Sequence, residues 1–256
     1  MLLTLDVGNT NISAGVFDGE ELAHQWRMST RAEATGDELG VTMRGLCDTA
    51  GVEIGDVHHA VISCVVPRLE RSLHYMCTHY LHVEALMVGP GVRTGVQIRY
   101  DNPKEVGADR VVNGLAAFRK YGGPAVVIDF GTSTNFDAIA ENGDFVGGAI
   151  APGINISMDA LFNRAAKLTR VDLQAPRSVI GKNTVESIQS GFLYGFVGQV
   201  EGIAGRMKAE LGPATHIIAT GGLAGLVATH AEIIDVVDER LTLDGLRFMY
   251  DLNRQA

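Results

Sequence analysis

The sequence predicts an α/β fold built from two related halves. Two observations lead there: strand-like apolar runs are interspersed with helix-spaced segments along the chain, and the opening segment recurs near the midpoint. Leu5-Asp6-Val7-Gly8-Asn9-Thr10 is matched by Ile128-Asp129-Phe130-Gly131-Thr132-Ser133, with Asp129 following Asp6 by 123 residues in a chain of 256. In each copy an apolar strand ends in Asp-x-Gly with small hydroxyl or amide residues, and a second strand and an Asx-Gly turn follow. Two such halves facing each other would leave a cleft, a natural place for a ligand. The boundary falls near Gly122, giving domains 1–122 and 123–256.

The elements follow in order. Residues 2–7 and 12–17 read as strands, the Asp18-Gly19 pair as a hairpin turn, and 20–28 as a third strand, so the chain opens as an antiparallel meander. Leu39, Met43, Leu46 and Ala50 give residues 36–50 a helical spacing. A β-rich run at 57–66 stops at Pro67, residues 68–80 read as a helix and 84–88 as a short strand, and 89–95 form a glycine-rich loop. Asn102-Pro103-Lys104-Glu105 has the chemistry of a helix start, with an N-cap, a proline at the first helical position and a Glu three residues after the cap. A helix from there to Lys120 would carry Asp109 about two turns in. Strands at 125–128, 135–140 and 144–150 repeat the opening plan, with a turn at Asn142-Gly143. Residues 183–211 read as a long helix whose Gly191, Gly195, Gly198 and Gly202 permit close packing within the chain or across a dimer. A strand at 216–219 runs into Thr220-Gly221-Gly222, and 243–252 closes the chain as a helix.

Hydrophobic residues make up 46% of the chain and charged residues 20%, enough apolar material for a sizeable core. The net charge of −9, with Lys and Arg scattered, argues against nucleic acid as a partner. The three cysteines lack paired spacing and read as reduced thiols. Asp6 interrupts the apolar start before the length of a signal-peptide core, and no run suits a bilayer span. The expected location is the cytoplasm, with no membrane partner.

The repeated loop has a chemical use. Its glycine lets the backbone approach a ligand, and exposed N–H groups with the Asn and Thr side chains suit phosphate oxygens. The carboxylate of Asp6 needs a cation between itself and a phosphate, and hydrated Mg²⁺ fits that role. Each loop alone is also compatible with an ordinary tight turn, since Asp and Gly dominate turns; the pairing favours the ligand reading. The Ala219–Gly222 turn could bring backbone to an adenine or ribose, or serve as a plain strand-to-helix turn. No G-x-G-x-x-G is present, and Gly181-Lys182-Asn183-Thr184 fails as a P-loop because Pro176 stands where its first glycine belongs.

These loops resemble those of the acetate and sugar kinase, actin and heat-shock chaperone ATPase superfamily. Across nearly the whole chain the sequence is similar to the type III pantothenate kinases. The segments that carry the likeness are 6–11, Tyr100-Asp101-Asn102-Pro103, Gly107-Ala108-Asp109-Arg110, 129–132, 147–153, 181–184 and 241–246. The resemblance implies two actin-like (ribonuclease H-like) domains with mixed five-stranded sheets flanking an ATP cleft. It implies transfer of the ATP γ-phosphoryl to pantothenate, giving 4′-phosphopantothenate at the start of coenzyme A synthesis. It also implies the residue roles. Asp6, Val7, Gly8, Asn9, Thr10, Asn11, Ile12 and Ser13 form the first phosphate loop, and Thr132 contacts ATP. Asp109 is the general base, and Tyr100, Gly107, Ala108, Asp109, Arg110 and Thr184 line the pantothenate site. Asp129 binds K⁺ or NH₄⁺, a divalent cation such as Mg²⁺ accompanies ATP, and the protein is a homodimer with Thr184 near its interface. The turn after Asp129 reads Gly131-Thr132-Ser133-Thr134-Asn135, where the family more usually has Gly-Thr-Ala-Thr-Thr.

Apart from the resemblance, phosphoryl transfer to an alcohol needs a proton acceptor, and a carboxylate beside Arg110 can supply one. Asp109 read without the family is equally an ion-paired residue on a helix surface. Arg110 has two readings as well: it grips the carboxylate of pantothenate, or it orients Asp109. His74, Cys77, His79 and His82 crowd one stretch but lack a zinc spacing, and ordinary packing is the preferred reading. Two other functions compete: a related kinase acting on a sugar, acid or amide, and a nucleotide-binding regulator without turnover. A substrate panel tests the first, and the 107–110 segment speaks against the second.

Overall fold

A computed structural model describes residues 1–165 and 168–254. The first sheet has strands β1 (Leu2–Val7), β2 (Asn11–Asp18), β3 (Glu21–Ser29), β4 (His59–Cys64) and β5 (Ala85–Met87), in the order β3-β2-β1-β4-β5. The second has β6 (Ala125–Phe130), β7 (Ser133–Ile139), β8 (Phe145–Pro152), β9 (His216–Gly221) and β10 (Val236–Val237), in the order β8-β7-β6-β9-β10. In both, the first three strands pair antiparallel and the other two join in parallel. The internal repeat read from two Asp-x-Gly segments therefore extends to a shared five-strand topology.

The helices are α1 (Gly36–Ala50), α2 (Pro67–Met76), α3 (Ala108–Tyr121), α4 (Ile154–Arg164), α5 (Thr184–Leu211), α6 (Ala224–Ala228) and α7 (Leu241–Arg254). Helix α1 has the expected limits because both ends are specified chemically. Thr35 and Glu38 form a reciprocal capping box, and Gly51 closes the helix at φ 71°. On the first sheet, alternation puts Leu3, Leu5, Val7, Ile12, Ala14 and Ile62 on one face. That face packs on Leu39 and Met43 of α1 and Leu69 and Leu73 of α2. In the second sheet, Val126, Ile128, Phe130 and Phe136 pack against α4, α5 and α6.

Two compact units result, residues 120–239 and residues 1–119 together with the chain from Arg240 onward. The sequence expectation assigned everything after Gly122 to the second domain, and α7 departs from it. Its Leu241, Leu243, Leu246 and Met249 are buried, and it packs on β1, β2 and β4. The amphipathic spacing required a sheet to cover and did not specify which one. A second departure concerns α3. The Asn102 start yields only a 3₁₀ turn at Pro103–Glu105, after which Val106 is extended and the α-helix begins at Ala108.

Candidate active site

In the first unit the loop between β1 and β2 is closed by the Gly8 N–H donating to the Asn11 carbonyl at 3.0 Å. Thr30 holds it from behind, its hydroxyl donating to the Gly8 carbonyl at 2.7 Å and its N–H to the Thr10 carbonyl at 2.9 Å. Asn9 and Thr10 are exposed at the tip, and Asp6, Gly8, Asn11 and Ser13 are half-buried. Val7 and Ile12 turn their side chains into the core, so only their backbone can meet a ligand. Register places Asp6 directly opposite Ser13 on β2 and Ser63 on β4, a row of three polar residues on one sheet face.

Asp109 lies in the first turn of α3, not two turns in, because the chain restarts its helix after Gly107. The Gly107 carbonyl accepts from the N–H groups of Arg110 (3.1 Å) and Val111 (3.2 Å). Asp109 Oδ1 accepts from the Arg110 N–H at 2.9 Å and folds back over Gly107, where a Cβ would stand 2.5 Å from it. The same Cβ would lie 3.8 Å from Val65, whose N–H donates to the Val7 carbonyl at 3.0 Å. The Asp6 loop, the end of β4 and the Asp109 turn are thus neighbours within one unit. Burial pushes the Asp109 carboxyl above the usual carboxylate range, against the smaller pull of the Arg110 N–H and guanidinium. Arg110 itself is buried, whereas Tyr100 is half-buried in the irregular stretch before the 3₁₀ turn. Ala108 and Val106 line a cavity of about 420 Å³ with Cys64, Glu70, Lys104 and the 88–92 loop.

The second unit repeats the row. Asp129 faces Asn135 on β7 and Thr220 on β9, and its Oδ1 lies 2.7 Å from the point where a Cβ on Gly221 (φ 92°) would sit. Thr132 is half-buried in a loop one residue shorter than the first, closed by the Gly131 N–H on the Ser133 carbonyl. Gly153 presses its backbone on that loop and donates to the Thr132 carbonyl at 3.1 Å, a close approach that leaves no room for a side chain. At Asn135, the residue unusual for its motif, Oδ1 accepts from the Ser133 hydroxyl at 2.9 Å.

Thr184 is exposed at the start of α5 and lines an open groove of about 700 Å³ with Lys182, Asn183, Ser187 and Phe192. Residues 181–184 form a helix cap, with Asn183 accepting from the Glu186 N–H and Glu186 from the Lys182 N–H. Outside the adjoining turns of α5 itself, no described residue lies within 4 Å of where a Cβ on Gly191, Gly195 or Gly198 would be. In the histidine-rich stretch His79 stacks on Tyr75, and burial pushes the Cys77 thiol up to about 12. Among the described residues no group of three His, Cys, Asp or Glu side chains could hold a metal ion. Sequence reasoning missed Ser63 because only strand register puts it beside Asp6.

A profile of the type III pantothenate kinase family matches residues 2–206. The chain belongs to the type III pantothenate kinases. It is 53% identical to the type III pantothenate kinase of Moorella thermoacetica over 253 residues, 99% of this chain and all of that one. It is 51% identical to that of Geobacillus kaustophilus, across all of this chain and 99% of the relative. Solved structures share the fold at low identity. The activator of 2-hydroxyisocaproyl-CoA dehydratase from Clostridium difficile has a TM-score of 0.58 at 10% identity, covering 99% of this chain and 96% of that one. The inorganic polyphosphate/ATP-glucomannokinase from Arthrobacter sp. strain KM has a TM-score of 0.55 at 13% identity, covering 100% and 99%. This pantothenate kinase is an ATP-dependent phosphotransferase that works with a divalent cation, and pantothenate is its family's substrate. Among the described residues no helix is long and apolar enough to cross a membrane.

Proposed function

We propose that Asp109 is the general base of this kinase. The γ-phosphoryl of ATP passes to the primary hydroxyl of pantothenate: the bond from the β–γ bridging oxygen to γ-phosphorus breaks, ADP leaves, and the pantothenate oxygen forms the new P–O bond. The hydroxyl proton goes to the Asp109 carboxylate. The observation that carries this reading is the Asp109 carboxylate seated on Gly107, made more basic by burial and adjoining the Asp6 loop.

The Asp6–Ser13 loop binds the ATP phosphates through backbone N–H groups, Asn9, Thr10, Asn11 and Ser13, and Thr132 also contacts ATP. Within the loop the Asp6 carboxylate, amid the hydroxyl and amide oxygens of Asn9, Thr10, Asn11 and Ser13, suits Mg²⁺, which keeps several waters and leans on substrate phosphates instead of an all-protein cage. Asp6 would hold it through those waters, and when bound it supplies neutralisation of phosphate charge. Asp129, flanked by the oxygen-bearing Asn135 and Thr220, is the site for K⁺ or NH₄⁺. Tyr100, Gly107, Ala108, Arg110 and Thr184 bind pantothenate, with the Arg110 guanidinium steadying Asp109 or meeting the substrate carboxylate.

The protein acts as a homodimer in the cytoplasm, with neither nucleic acid nor membrane as partner. Exposed Val179, Ile180 and Val185 beside the open glycine face of α5 support the dimer. The test is ADP release from ATP and Mg²⁺ with and without pantothenate, in K⁺ and in Na⁺ buffers. Stimulation by pantothenate that is lost in Asp109→Asn supports substrate and base together. Turnover indifferent to pantothenate overturns the acceptor, and equal rates in K⁺ and Na⁺ overturn the Asp129 reading.

A further inference from the structure

Ser63 is wholly buried at the carboxyl end of β4, and among the described residues its Oγ has no hydrogen-bond partner. A buried hydroxyl left unpaired costs stability that an alanine of nearly the same shape would avoid. Its place in the sheet points to what it waits for. Ser63 is in direct register with Asp6 on the parallel neighbour β1, so the two side chains share a face on strands about 4.8 Å apart. Rotation about its single side-chain torsion swings the hydroxyl among three staggered positions. Asp6 also has an interaction elsewhere. The second unit repeats the arrangement independently: Thr220, another buried hydroxyl residue, stands in the same register beside Asp129.

We infer that Ser63 is a positioning residue for phosphoryl transfer, its hydroxyl donating to the Asp6 carboxylate once that carboxylate engages the hydrated cation of the metal–nucleotide complex. One carboxylate oxygen is then fixed by Ser63, and the other is turned toward the cation's waters. The inference rests on the Asp6 reading above and adds to it a residue that touches neither nucleotide nor acceptor.

The experiment is calorimetric titration with a non-hydrolysable ATP analogue, in Mg²⁺ and in EDTA, of the native protein, Ser63→Ala, Asp6→Asn and the double variant. Melting temperatures are taken without ligand. A hydrogen bond to a charged carboxylate predicts that Ser63→Ala weakens binding in Mg²⁺ by roughly tenfold. Binding in EDTA stays unchanged, and the loss disappears in the Asp6→Asn background. The ligand-free melting temperature stays level or rises. Equal losses with and without metal, no loss at all, or a fully additive loss in the double variant would overturn the inference. So would a lower melting temperature for Ser63→Ala, which would mean that the hydroxyl already has a structural partner. If Asp6→Asn alone leaves metal-dependent binding intact, the Asp6 reading falls and this inference with it; if only Ser63→Ala is silent, Asp6 keeps its role.

Discussion

Asp109→Asn separates catalysis from stability. The substitution preserves shape, and the remaining side-chain oxygen can still accept from the Arg110 N–H now at 2.9 Å. Under the role proposed for Asp109 it removes proton acceptance, which contributes about 10²–10⁴-fold where a base is used. A loose phosphoryl-transfer transition state makes modest demands on the base. The expected fall in kcat is therefore in the lower half, about 10²–10³-fold, equivalent to roughly 3–4 kcal/mol of barrier. Stability moves the other way. Burial, the largest influence on this carboxyl, makes the folded protein hold its proton more tightly than the unfolded chain does. The resulting stabilisation is fully present below the unfolded pKa and is lost as pH rises through the higher folded one. At neutral pH the native protein thus carries an ionised group at a cost that Asn does not incur. Thermal melts across pH should find the variant at least as stable as the native protein at pH 7, with that advantage gone in acid. The kcat/KM profile of the native enzyme should lose activity in acid at a pH above the ordinary carboxylate range. A kcat loss under about tenfold, a less stable variant at neutral pH, or an acid limb at the ordinary aspartate position would refute the reasoning.

Gly107→Ala places a Cβ 2.5 Å from Asp109 Oδ1 and forces the carboxylate to move. A displacement near 1 Å predicts a loss of about 10²-fold in kcat with the circular dichroism spectrum retained. Gly221→Ala combines φ 92° with a Cβ 2.7 Å from both Asp129 Oδ1 and the Phe130 carbonyl. Urea unfolding should show a cost of about 1–3 kcal/mol, and K⁺ activation should weaken in rate assays. Thr35→Ala removes one half of the α1 capping box, distant in role from the chemistry. It should cost about 1 kcal/mol in urea unfolding with kcat unchanged.

Much of this architecture was legible because the chain states it locally. The Asp-x-Gly repeat, the hairpin signals and the helical spacing of residues 36–50 each act over a short stretch. Asp109 shows the limit. The Asn102-Pro103 start is genuine helix chemistry and does produce a turn, but the extended Val106 and Gly107 interrupt it, moving Asp109 to a helix N-terminus where it can fold back on a glycine. The glycines of α5 read as sites of close packing within the chain or across a dimer, and outside the adjoining turns of α5 no described residue closes on Gly191, Gly195 or Gly198. Ser63 was invisible because its meaning comes from register with a strand more than fifty residues earlier. The same holds for Gly153, whose need for a bare backbone comes from the Thr132 loop.

The placement of α7 has a consequence for how the chain is made. Residues 120–239 form a continuous stretch, so the second unit has all its parts once they have emerged during synthesis. The first unit does not. Gly15 and Thr4, on the sheet face that Leu243 covers, stay without that cover until the chain beyond Arg240 is available. The later half should therefore finish folding before the earlier one, reversing the usual order for a nascent chain. The Asp6 loop and the Asp109 turn, both encoded early, belong to the part of the molecule completed last.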